Sequence, residues 1–237
     1  MTYDELKESV YSYLENRSTE IIAEIAKIVI QGESRIYNAV RTPDQRFVGG
    51  ATATSASPTI TAPANFIEPL ALYLRGANTG TGETRTALLQ KSTSFINEAY
   101  GTVRGVPKFY ALQSTAVNYN APFFVLPAYG EAIILLGPNA DTNYSLWIEY
   151  IGIPPSITDA PLSGYPSTST WLSISFPETL LYACLLEGYI YMKGDKDLLA
   201  TFQARYDAAM IDLRRSCEGL QLQDEYRNPQ VGKEISA

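Results

Sequence analysis

Charge and proline divide this chain into three stretches, and no single motif constrains its fold as strongly. Residues 1–42 hold 12 charged side chains, five basic and seven acidic. Residues 43–174, a far longer stretch, hold only six basic and eight acidic, together with 12 of the 14 prolines. Residues 175–237 return to the dense pattern with seven basic and ten acidic. Helices tolerate charged outer faces, whereas strands favour β-branched and aromatic residues punctuated by Gly and Pro. The order is therefore helices, then β structure, then helices. The fold class expected is α+β: a bundle of early and late helices (1–42 and 175–219), an inserted antiparallel β-rich domain with its return segment (43–174), and an extended C-terminal arm (220–237).

Local signals place the elements. Thr2-x-x-Glu5 is a capping box opening a first helix with Leu6, Val10, Tyr13 and Leu14 on one side. Ser18 or Thr19 opens a second, whose apolar residues recur every three or four positions from Ile21 to Val40. Pro43 ends it by biasing Thr42 away from helix. Ser175-Phe-Pro-Glu178 reads as another capping box with Pro in the first turn, beginning a third helix that stops at Gly194. A fourth starts at Asp195 or Lys196 and ends at Gly219. In the middle, residues 52–54 and 59–61 suggest a hairpin. Strands are expected at 69–75, 84–90, 108–112, 123–126, 132–136 and 143–151, a short helix at 94–100, and an extended return over 152–170.

Composition removes much catalytic chemistry. The 237 residues contain no His, so neither a Ser-His-Asp system, a Cys-His pair nor a His zinc site is available. The two cysteines, Cys184 and Cys217, have no CxxC spacing and lie on apolar helical stripes, where they act as small hydrophobes. So sparse a complement fits a reducing compartment. A net charge of −7 argues against a dedicated nucleic-acid binder. No apolar run reaches the ~20 residues of a membrane helix, and the acidic start at Asp4 and Glu5 is unlike a signal peptide. An intracellular, soluble product is expected.

The remaining candidates each have a plain structural explanation. The Gly-rich loop 76–83 lacks the Lys of a phosphate loop and sits between strands. Asp4, Glu5 and Glu8, like Asp195 and Asp197, occupy helix starts favoured by the macrodipole. Lys91, Arg104 and Lys108 are scattered in sequence, with no run to track phosphates. The sequons at Asn16 and Asn143 carry no meaning without secretion. No catalytic, cofactor or metal residue is expected. Tyrosine is unusually abundant, with 17 copies against eight Phe. For Tyr3, Tyr11, Tyr13, Tyr37, Tyr189, Tyr191 and Tyr206, an interface and a core with hydroxyls reaching solvent both stay open.

Several segments, in order, resemble the head–tail adaptor proteins of short-tailed phages. These are MTYDELKESVYSYLEN at Met1–Asn16, QGESRIY at Gln31–Tyr37, ITAPANFIE at Ile60–Glu68 and GVPKFYAL at Gly105–Leu112. Gly137-Pro138 followed by YSLWIEY at Tyr144–Tyr150 adds to them. So do Trp171-Leu172, FPETLLYACLLEGYIYMKGD at Phe176–Asp195, Tyr206 and Arg214-Arg215. The stretches 51–62 and 76–83 stand outside the likeness. The resemblance implies a non-enzymatic virion protein that needs no cofactor. It implies a ring of identical subunits, usually a dodecamer, docked on the portal and leading to the tail nozzle or tail tube, with DNA passing through unread. The alternative is a tail accessory module that binds carbohydrate or a host surface through residues 43–174, with Trp147 and Tyr rings as stacking platforms. A lytic glycosidase would need two carboxylates about 5–9.5 Å apart, for which the middle is poor in acids.

Overall fold

The computed structural model describes residues 1–55, 57, 59–75, 85–114, 132–159 and 169–227. The expected loop at 76–83, strand at 123–126, residues 160–168 of the return segment and the last ten residues lie outside them. In chain order, helices α1 (Tyr3–Leu14) and α2 (Thr19–Ala39) lead into strands β1 (Arg46–Ala53), β2 (Thr59–Thr61), β3 (Phe66–Arg75), β4 (Arg85–Ala87) and β5 (Leu89–Gln90). Helix α3 (Thr93–Ala99) then precedes β6 (Arg104–Gly105), β7 (Phe109–Ser114), β8 (Ala132–Gly137), β9 (Asn139–Ala140) and β10 (Tyr144–Gly152). Helices α4 (Trp171–Ser175), α5 (Pro177–Met192) and α6 (Lys196–Arg227) close the chain. The fold is α+β, and it forms two compact units: Met1–Asp44 with Pro155–Ala237, and Gln45–Pro154.

The helical unit is organised around α5. This helix is apolar over most of its circumference, leaving Glu178 and the C-terminal Ile190 and Tyr191 exposed, and it packs against α1, α2, α4 and α6. Leu180, Ala183, Cys184 and Leu185 are wholly enclosed, with Leu6 and Val10 of α1, Val29 and Ile36 of α2, and Leu213 of α6 around them. Two glycines set the spacing. A Cβ on Gly32 would lie 3.1 Å from the backbone nitrogen of Cys184 and 3.3 Å from the carbonyl carbon of Ala183. A Cβ on Gly188 would lie 3.0 Å from a Leu14 methyl. α2 and α5 meet backbone to backbone at Gly32, so any side chain there requires the helices to give by a few tenths of an ångström.

The caps follow their local chemistry. Thr2 and Glu5 form the reciprocal box at α1, and the Ser18 hydroxyl accepts from Ile21 N–H at α2. The box expected at Ser175 does not form. Trp171–Ser175 is already the separate helix α4, boxed by Thr170 and Ser173, so Ser175 ends one helix instead of starting the next. α5 then begins after Phe176 with Pro177 in its first turn and no side-chain cap. α6 also runs past Gly219 to Arg227. One glycine costs a helix only about 1 kcal/mol, which the good helix formers around it offset.

The β unit contains two four-stranded sheets, ordered β1-β10-β3-β4 and β2-β8-β7-β5, and a small β6-β9 pair. Leu72, Leu74, Leu146, Ile148 and Tyr150 of the first share a core with Ile60, Tyr110, Ile134 and Leu136 of the second. Two expectations change here. Residues 52–54 and 59–61 do not form a hairpin together: β1 pairs with β10 and β2 with β8. The single strand expected at 84–90 is split at buried Leu88. β4 pairs antiparallel with β3, and β5 crosses to run parallel with β7.

Candidate functional site

The acidic residues at the helix starts have structural work. Asp4 pairs with Lys7 at 2.7 Å and Glu8 with Arg17 at 2.6 Å, while Glu5 completes the α1 cap. Asp195 accepts the Asp197 backbone N–H at 3.1 Å, capping α6. Both thiols are buried and free, and burial raises each above its usual range, Cys184 furthest. Such thiols are poor nucleophiles. Among the described residues, no three His, Cys, Asp or Glu side chains gather as a metal site, and no helix is long and apolar enough to cross a membrane.

One acidic residue was not singled out in the sequence. Glu33 is buried on α2, four residues after Val29 and three before Ile36, and so interrupts an apolar stripe. Its carboxylate accepts the Ile157 backbone N–H at 3.0 Å. Burial lifts its pKa from 4.5 to about 7, against the lowering influence of hydrogen bonds from Ser156 and Ile157. Asp44, which accepts from the Thr42 and Tyr37 hydroxyls, is also raised by burial. The signal for Glu33 was present: a carboxylate at a stripe position. Arg35 on the same helix donates to Glu187 of α5 through Nε at 2.7 Å.

The tyrosines divide. Tyr11, Tyr37 and Tyr206 belong to the core, and Tyr189 meets Phe202 edge-on at 5.1 Å. Tyr13 and Tyr191 stand in solvent. In the β unit, Trp147 is not an open platform, because the guanidinium groups of Arg75 and Arg85 lie 5.2 and 4.9 Å from its ring centre. A partly open recess of about 280 Å³ with a mixed polar and apolar lining lies between the sheets, bordered by Ala51, Ile60, Thr61, Leu72, Ile134 and Ile148 among others. Lys91, Arg104 and Lys108 all lie on the β5–α3–β6–β7 segment, with Lys91 Nζ 5.7 Å from the Phe95 ring centre and Arg104 opposite Asn139 in the β6–β9 pair.

Charge separates the units completely. The helical unit carries 19 acidic and 12 basic residues, the whole net −7, while the β unit carries six of each. A helical body that uses its acids as caps and ion pairs, interrupted by a neutral β unit with exposed apolar side chains, has the make-up of a structural subunit. The chain belongs to the SU10 adaptor protein family, whose model matches residues 1–232. It is thus a tailed-phage head–tail adaptor, a component of the virion neck. No curated protein matches the sequence.

Proposed function

We propose that copies of this chain close into a ring, a dodecamer, that docks beneath the phage portal and joins it to the tail nozzle or tail tube. The family match over nearly the whole chain carries this reading, because it spans both units rather than one shared module. A ring of identical subunits requires head-to-tail contacts between two different patches. Exposed apolar side chains on both units, among them Tyr13, Ile22, Leu89 and Val103, supply material for such contacts. Assembly takes place in the host cytoplasm and the ring ends in the virion. DNA passes without sequence readout, and the net acidity of the helical unit keeps phosphates from sticking. The chain acts without catalysis or cofactor.

The test is negative-stain microscopy of the purified chain with and without its portal protein. Rings seated on the portal are the expected result. Chains that remain monomeric and ignore the portal would sink the reading.

A further inference from the structure

Where the chain comes back from the β unit, Ser156–Asp159 folds into a turn whose hydrogen bonds are mostly its own. The Asp159 N–H donates to the Ser156 carbonyl at 3.0 Å, and the Ser156 N–H to the Asp159 carboxylate at 3.0 Å. The Thr158 N–H and hydroxyl donate to Ser156 Oγ at 3.2 and 2.9 Å. Only the Ile157 N–H points out of the turn, and it donates to Glu33 Oε1 of α2 at 3.0 Å. The Ser156 hydroxyl adds a second hydrogen bond to the same carboxylate. The Ile157 side chain, 2% exposed, joins the helical core. Among the described residues, every polar tie from this turn to the rest of the helical unit therefore runs to Glu33.

The surroundings of Glu33 oppose a charge there. The side chain is buried, and two further acids bear on it: Asp44 of the outgoing segment and Asp159 of the turn itself. On the α5 side the neighbouring titratable group is the Cys184 thiol, which burial keeps protonated. Arg35 of α2 is committed to Glu187, and Asp44 accepts from the Tyr37 and Thr42 hydroxyls. Two donors thus favour the carboxylate, while burial and two acids favour the proton. With the turn in place the carboxyl can keep its proton and still accept the Ile157 N–H through its carbonyl oxygen. With the turn lifted, water reaches Glu33 and the penalty on its charge disappears.

We infer that the Ser156–Asp159 turn is a pH-governed latch on α2, seated most firmly in acid and lifting from Glu33 more often as pH rises towards neutrality, while the helical core stays folded. Lifting is separable from unfolding because the internal hydrogen bonds travel with the turn. Only the bonds to Glu33 and the burial of one side chain are given up, so the opening lies well below the global one. The sign follows from the proton. Seated, Glu33 holds it up to about pH 7; lifted, it returns to its ordinary 4.5. Each opening between those values releases a proton, so the lifted fraction climbs by up to about tenfold per pH unit and levels off above pH 7. The latch sits on the connection from the β unit, and its state decides whether residues 156–159 are anchored or belong to the free length of that connection.

Site-resolved amide hydrogen exchange on the full chain, between pH 5 and pH 8 and corrected for intrinsic chemistry, tests it. At every pH the open fraction reported by the Ile157 amide should exceed that of Leu185 in α5 by about tenfold or more. It should also rise by about tenfold or more from pH 5 to pH 7, and by less than about threefold from pH 7 to pH 8. Glu33→Gln should reduce the first of these rises to less than about threefold, and Asp44→Asn should leave it in place. Equal open fractions at Ile157 and Leu185 would mean that the turn leaves only when the whole unit unfolds, and would overturn the latch. So would an Ile157 fraction that ignores pH in the wild type, a rise that survives Glu33→Gln, or one that vanishes in Asp44→Asn. Should Glu33→Gln fail to fold, the wild-type comparison and Asp44→Asn still decide the matter.

Discussion

The helical and β units solve different problems with the same chain. In the helical unit α2 and α5 approach closely enough that a methyl group at Gly32 would press on the backbone of Ala183 and Cys184, a carboxylate is buried to hold a backbone segment, and acids are tied into caps and ion pairs. In the β unit the sheets leave a recess of about 280 Å³ and the strand residue Gly50 faces open space. The first is a fitted core that tolerates little. The second is as tight at Gly152, where a Cβ would lie 2.8 Å from the Asn65 carbonyl oxygen, but keeps open volume at Gly50 and in the recess.

The sharpest break in this contrast would come at Gly32. Gly32→Val drives a branched side chain into the backbone of Ala183 and Cys184, which cannot rotate away. It should cost about 3 kcal/mol in thermal or urea unfolding. A loss below about 1 kcal/mol would mean the helices separate easily and the contrast is weaker than drawn.

Next in size is the pH dependence of Glu33. Its folded pKa of about 7 stands above the ordinary 4.5 because burial disfavours the charge. The folded chain therefore keeps a proton that the unfolded chain releases. The resulting stability is complete below about pH 4.5, declines as pH rises to about 7, and is absent above that. The fall is at most about 3 kcal/mol. Glu33→Gln, which can still accept the Ile157 N–H, should flatten most of this slope, and Asp44 leaves a residue of the same sign. Urea titrations at a series of pH values would read it, and an unchanged slope in the variant would remove Glu33 as its source.

Smaller effects sharpen the comparison. Thr170→Ala strips the buried cap of α4 and should lower stability by about 1 kcal/mol, measured by the same unfolding curves. Gly50→Ala adds a Cβ that meets nothing within 4 Å. It should leave stability unchanged or raise it by up to about 0.5 kcal/mol, since alanine relieves the entropic cost of glycine in a strand. A marked loss there would show the β unit to be as tightly fitted as the helical one.

Much of the helical unit was legible because its signals are local. The Thr2–Glu5 box and the Ser18 cap sit within one turn of what they terminate. The apolar stripe of α2 also repeats at the helical period. Ser175 misled because α4 ends where a cap was expected, and only the turn at Phe176 separates the two helices. The β unit was harder for a physical reason: pairing is non-local. Nothing near Leu88 announces that β4 and β5 join different sheets, and nothing near Lys91 announces Phe109 as a neighbour until β5 lies along β7. The acids at the helix starts take part in the caps and ion pairs that their positions suggest. Glu33 could have been found, because a carboxylate between Val29 and Ile36 must be either exposed or satisfied.

The two anchors on α2 carry a mechanical consequence. The chain departs for the β unit at Thr42–Asp44, tied to Tyr37 by its hydroxyl 3.1 Å from Asp44, and comes back at Ile157, tied to Glu33. Glu33 and Tyr37 lie one helical turn apart. A pull on the β unit through either connecting segment is thus delivered to a single turn of α2, beside the point where Gly32 locks that helix into α5.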